Sequence, residues 1–115
     1  MGKEKVEEIV AKIKKRKKNL KFILAGTDGF LLASGFPLEI NSRMLAALAA
    51  AVFKSSVINS RELKIGSFSY ALIKATNGFF VCFEVSPSII LGCILSKMGL
   101  NKALSESTKL RKIFI

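Results

Sequence analysis

Residues 44–53 read Met44-Leu45-Ala46-Ala47-Leu48-Ala49-Ala50-Ala51-Val52-Phe53, ten positions without a polar group. Asn41 or Ser42 can cap a helix ahead of them, and the pattern predicts that helix to run to about Ile58. A helix that is apolar all round needs cover on more than one side. One side can be a sheet. The other is either interior to the same chain or a helix of a second copy, and alanine permits close backbone approach. The seam between copies is the favoured reading, because a monomer would show Ala46, Ala47, Ala50 and Phe53 to water on the side away from the sheet.

Strand signals flank this helix. Upstream, Leu20 to Gly26 and Phe30 to Ser34 are short apolar runs joined by Thr27-Asp28-Gly29, where an Asp-Gly pair supplies the positive φ a tight turn demands. Gly35 and Pro37 end the pair. Downstream, Asn59 to Gly66 is a polar connection. Three strands follow, about Ser67 to Ala75, Phe79 to Val85 and Ile89 to Ser96, turning at Thr76-Asn77-Gly78 and Ser86-Pro87-Ser88. The last two are apolar at nearly every position, as central strands covered on both faces are. The first reads as an edge. The outermost segments are helices. Val6, Ile9, Val10 and Ile13 make one face of a helix from about Lys3 to Lys18, and Leu100, Ala103, Leu104 and Leu110 make the stripe of one from about Leu100 to Lys112. The order is helix, two strands, helix, three strands, helix, which fits one α/β domain over residues 1–115 with a mostly antiparallel five-stranded sheet and helices on both faces.

Composition narrows the chemistry. The chain has 115 residues, half of them hydrophobic, and no histidine, so the commonest general base and the commonest metal ligand are missing. Serine triads fail for the same reason, although a Ser–Lys pair stays open. No stretch matches the phosphate loop G-x-x-x-x-G-K-[ST]. Cys82 and Cys93 are too few for a disulfide framework and match no zinc spacing. They lie on strands joined by a tight turn and could face each other, but two buried thiols are the plainer reading. Glu84, inside a strand near a turn, reads as exposed or paired with a lysine. The longest apolar stretch, Phe79 to Leu95, is broken by Glu84 and Pro87, short of the ~20 apolar residues a spanning helix requires. The N-terminal segment is charged, without a secretory pattern, so a cytoplasmic chain is expected. No cofactor is expected.

The net charge of +11 is unevenly placed. Residues 1–21 hold nine Lys or Arg and three Glu, residues 97–112 hold five and one, and the middle is nearly neutral.

The order of elements and their turns resembles the roadblock family of dynein-light-chain-type and GTPase-regulating proteins. Ala25-Gly26-Thr27-Asp28-Gly29-Phe30-Leu31-Leu32-Ala33-Ser34 is similar to that family's first hairpin. The alanine run is similar to its central helix. Ala71-Leu72-Ile73-Lys74-Ala75-Thr76-Asn77-Gly78-Phe79-Phe80-Val81 is similar to its later hairpin, and Gly99-Leu100-Asn101 to the opening of its last helix, with the glycine placed first here. The resemblance implies a profilin-like sandwich of sheet order 2-1-5-4-3, with the middle helix on one face and the terminal helices on the other. It implies a non-catalytic homodimer joined along the third strand and the middle helices, through Met44, Ala47, Ala50, Ala51, Phe68, Tyr70 and Leu72. It implies a scaffold or a regulator of a small Ras-like GTPase.

If both terminal helices share one face, Lys14, Lys15, Lys17, Lys18, Lys109 and Lys112 form a basic surface for an acidic protein or an anionic membrane. The alternative is a small nucleic-acid-binding protein, which the lack of exposed aromatics among these lysines disfavours. A small-molecule sensor is a third, weaker reading.

Overall fold

The computed structural model describes residues 3–35 and 41–115; Pro37, read as a sheet breaker, lies outside them. Eight elements follow in order: α1 (Lys3–Arg16), β1 (Lys21–Gly26), β2 (Leu31–Ser34), α2 (Ser42–Glu62), β3 (Ala71–Ala75), β4 (Gly78–Ser86), β5 (Ile89–Ser96) and α3 (Leu100–Lys112). The strands form one sheet in the order β2-β1-β5-β4-β3, every pair antiparallel. β1 and β5 lie inside it, and all of Phe22 to Gly26 and Ile89 to Cys93 are buried.

Side chains alternate between the two faces. Phe22 and Leu24 of β1 join Val81, Phe83, Leu91 and Cys93 under Ile9 and Ile13 of α1 and Ala103 and Leu110 of α3. Ile23 and Ala25 point the other way, against Ala46 and Ala49 of α2. Burying one Ile or Leu fully is worth about 1.5–3 kcal/mol relative to leaving it exposed, so the terminal-helix layer, with Ile9, Ile13 and Leu110 nearly inaccessible, is the heavier of the two.

The turns follow local chemistry. Gly29 has φ +92°, and the Phe30 amide donates to Asp28 Oδ1 at 3.1 Å, as an Asp-Gly turn requires. At α2 the cap is Asn41, whose Oδ1 accepts from the Met44 amide at 3.1 Å. The hydroxyls of Ser34 and Ser42 meet at 2.7 Å, joining the end of β2 to the start of α2. Gly92 has a steric reason: a Cβ there would come within 2.8 Å of the Phe80 ring and 3.2 Å of Ile23, so only glycine lets α2's layer close over the sheet centre.

Three expectations are corrected. α2 runs to Glu62, a turn past Ile58, because Asn59 to Glu62 contain no breaker; the left-handed residue that follows is Lys64, φ 55°. β3 begins at Ala71, so Ser67 to Tyr70 lie outside it. Finally, Cys82 pairs with Gly92, not with Cys93. Cys82 belongs to the α2 layer and Cys93 to the terminal-helix layer, so the sheet separates the two thiols.

Candidate functional site

Among the described residues, α2 is the one helix on its face of the sheet. A helix with side chains is about 10 Å across, whereas neighbouring strands lie about 4.8 Å apart, so one helix covers about two of five strands. Its alanines seat it closely on β1 and, farther along, on Cys82 and Ile90. Beside it, over β3 and β4, an apolar groove of about 720 Å³ stays open, lined by Leu45, Leu48, Val52, Ile73, Phe80 and Ile94 among others. The groove is continuous with the outer side of α2, where Met44 is 56 % exposed and Leu48 54 %, and Ile73 is 45 % exposed across from them. Among the described residues, β3 is also the sheet's edge, paired with β4 on one side.

Met44, Ala47 and Ala51 are exposed on α2, as the seam reading expects. Ala50 is not: it is 4 % exposed and packs with Cys82 and Ile90, and Ala46 is buried as well. At 100° per residue, positions 46, 49 and 50 share the sheet side, while 44, 47, 48 and 51 share the outer one. Tyr70 and Leu72 are likewise displaced. Both pack into the terminal-helix layer, and the Arg111 guanidinium lies 4.7 Å from the Tyr70 ring centre. Phe68 meets Phe53 edge-on at 5.6 Å. The β3 residues that do border the groove are Ile73 and Ala75, and neither was among the expected seam residues. The register partner of Ile73, Phe80, is the signal that sets its face.

The basic residues form the second surface. Lys17 Nζ reaches Glu106 Oε1 at 2.9 Å, and Lys109 Nζ lies 3.4 Å from Glu106 Oε2. The Lys17 hydrogen bond, outweighing partial burial, holds the Glu106 carboxyl below its usual range. Lys17 and Lys109 are thus partly neutralised. Among the described residues, Lys14, Lys15, Lys18 and Lys112 are exposed and have no carboxylate partner.

Nucleophilic chemistry has little footing. Burial pushes the Cys82 thiol up to about 12; burial, with Cys82 nearby, does the same to Cys93. Cys82 Sγ donates weakly to the Ala49 carbonyl at 3.7 Å. Glu84 is exposed on its strand, and its Oε2 accepts from the Ser88 amide at 3.4 Å. Among the described residues, no helix is long and apolar enough to cross a membrane.

Comparison with known proteins gives one family and one fold. The family model described as the Roadblock/LC7 domain matches residues 5–96. No curated protein matches the chain. Among solved structures, MglB of Myxococcus xanthus is 20 % identical with a TM-score of 0.74, covering 99 % of this chain and 92 % of that one. The gliding protein MglB of Thermus thermophilus is 16 % identical with a TM-score of 0.70, covering 94 % and 89 %. A structure titled MglB with tetrameric arrangement is 17 % identical with a TM-score of 0.67, covering 94 % and 88 %.

Proposed function

This chain belongs to the Roadblock/LC7 domain family, and from that premise we propose that it is a dimeric, non-catalytic adaptor that regulates or scaffolds a small Ras-like GTPase. The observation that carries the dimer is the half-covered face. A twofold pairing of two β3 edges would satisfy the edge hydrogen-bonding groups of both copies. It would lay the second α2 beside the first, over the groove and against Met44, Ala47, Leu48, Ala51 and Ile73. Such a contact is isologous, the commonest arrangement for soluble oligomers. The tetrameric arrangement named for one MglB structure supports self-association through this fold.

The regulatory half of the reading comes from the family. It is supported by a chain without histidine or phosphate loop and by thiols too buried to ionise at neutral pH. The protein itself then turns over no nucleotide, and its effect is exerted on the partner's nucleotide cycle or location.

Light scattering at micromolar concentration tests the dimer: the expected mass is twice the 12.6 kDa of the chain, and a clean monomer overturns it. The GTPase reading is tested by retention of Ras-like GTPases from the source cell on the immobilised protein. If none is retained while the mass is that of a dimer, a plain structural adaptor replaces the regulator.

A further inference from the structure

The terminal-helix face carries charge that the fold leaves unneutralised. In the first part of α1, Glu8 lies between Lys5 and Lys12, at 4.0 and 3.7 Å, and acid and base balance. From Lys14 to Lys21 every ionisable residue is basic, and the next acid in the chain is Asp28. α3 adds Lys102, Lys109, Arg111 and Lys112 against a single acid, Glu106. The 2.9 Å contact between Lys17 and Glu106 brings the end of α1 against the middle of α3, so the two basic runs merge into one surface. Glu106 is already shared between Lys17 and Lys109, and Arg111 is occupied over Tyr70.

We propose that this surface docks on membranes rich in anionic phospholipid. Its breadth favours a planar polyanion over a duplex. Ile9 and Ile13 of α1 and Ala103 and Leu110 of α3 are buried in one core layer, so neither helix projects from the body. Two helices held against the same sheet face span about 20 Å, too wide for a major groove of about 12 Å. Among the described residues, the aromatic rings at the margin of this layer are already engaged, Tyr70 beneath Arg111 and Phe114 against Phe83, which leaves little to stack on a single-stranded base. Apart from Arg16 and the Arg111 stacked on Tyr70, the cations of this face without a carboxylate partner among the described residues are lysines, compact point charges that suit a diffuse layer of headgroups and do not need the bidentate geometry in which arginine excels. Polybasic segments of this size hold proteins at anionic leaflets by summed attraction. The proposal stands on one copy of the chain. A pair joined along β3 would turn two such faces to the same side and strengthen the binding.

Co-sedimentation of the full chain with phosphatidylcholine vesicles, with and without phosphatidylserine at about a third of the lipid, tests this at physiological salt. The wild type is expected in the pellet only with the anionic vesicles, and progressively less so as salt rises. Each lysine contributes about fivefold, so losing three positive charges costs about a hundredfold, and the triple variant Lys14→Glu/Lys15→Glu/Lys18→Glu, which reverses those charges, should lose more than about a hundredfold in partition. Arg43→Glu/Lys54→Glu/Arg61→Glu makes the same change in net charge on α2, across the sheet, and should lose less than about threefold. Lys14→Gln/Lys15→Gln/Lys18→Gln, a milder change, should fall between wild type and the triple Glu variant, and decides the matter if the latter does not fold. Three results overturn the proposal: no sedimentation of the wild type with anionic vesicles, equal losses from the two triple Glu variants, or tighter retention on DNA or RNA than on vesicles at matched phosphate concentration.

Discussion

The two faces of the sheet are built from different materials. Beneath α1 and α3, large side chains interlock: Phe22, Leu24, Phe83 and Leu91 lie under Ile9, Ile13 and Leu110, and all are nearly inaccessible. Beneath α2 the contacts are alanines, and Leu48, Met44 and Ile73 are left to solvent beside an open groove. Two helices finish the first face within one chain, whereas one helix cannot finish the second. The difference teaches where to look for stability and where for association. A side chain removed from the closed face costs folding energy, and one altered on the open face should cost assembly instead.

Ile13→Ala is the hardest blow to this contrast. It removes a fully buried side chain from the closed face and should cost about 2–5 kcal/mol. Denaturant unfolding should show the loss at every protein concentration. A loss below about 1 kcal/mol would mean that the layer can collapse around the gap and is less tightly interlocked than its burial implies.

Next comes Ala47→Glu on the open face. Ala47 is exposed in the single chain, so unfolding of the dilute protein should change by no more than about 0.5 kcal/mol. In a twofold dimer the same change puts two carboxylates into a dry contact, and the dissociation constant should rise by at least about a hundredfold. Sedimentation across a dilution series separates the two effects. Ala50→Glu is the counterpart: Ala50 faces the sheet, so that variant should lose folding stability as well.

The smallest expected effect sharpens the closed face alone. Glu106 is held below its usual carboxylate range by Lys17. A carboxyl with a lower pKa when folded stabilises the fold fully above its unfolded value, near 4.5, and loses that contribution as pH falls through the lower folded value. Glu106→Gln should therefore flatten the acid limb of stability below about pH 4.5, and cost less than about 1 kcal/mol at neutral pH. Parallel acid limbs for the two proteins would show that the Lys17 contact is absent in solution.

Much of this architecture was legible in the residues. The Asp28-Gly29 turn, the cap at Asn41 or Ser42, the doubly buried strands and the amphipathic terminal helices each carry a local signature. What escaped was phase. In an alanine run every direction around the helix is apolar, so nothing local says that Ala50 faces inward and Ala47 outward; the strands beneath decide it. Ala71-Leu72-Ile73 hides its alternation in the same way, and only the pairing of Ile73 with Phe80 fixes which side each residue takes. The same register puts Leu72 on the terminal-helix side, where Tyr70, just ahead of the strand, packs as well. The Glu106–Lys109 pair has helical spacing and is readable, but Lys17 reaches Glu106 across 89 positions, and no spacing rule finds it.

The strand order carries one more consequence, for synthesis. β1 is complete at Gly26, yet its inner neighbour is β5, with Lys21 opposite Ile94 and Gly26 opposite Ile89. While the chain is being made, the β1–β2 hairpin offers a bare and very apolar edge until the last strand emerges some seventy residues later. The alanine helix and the β3–β4 hairpin form from local contacts in the interval. The central pairing and both layers built on it wait for β5, and α3 then seals the terminal face. Ribosome-bound fragments that stop short of Ser96 are the species of this protein most exposed to aggregation and to capture by chaperones.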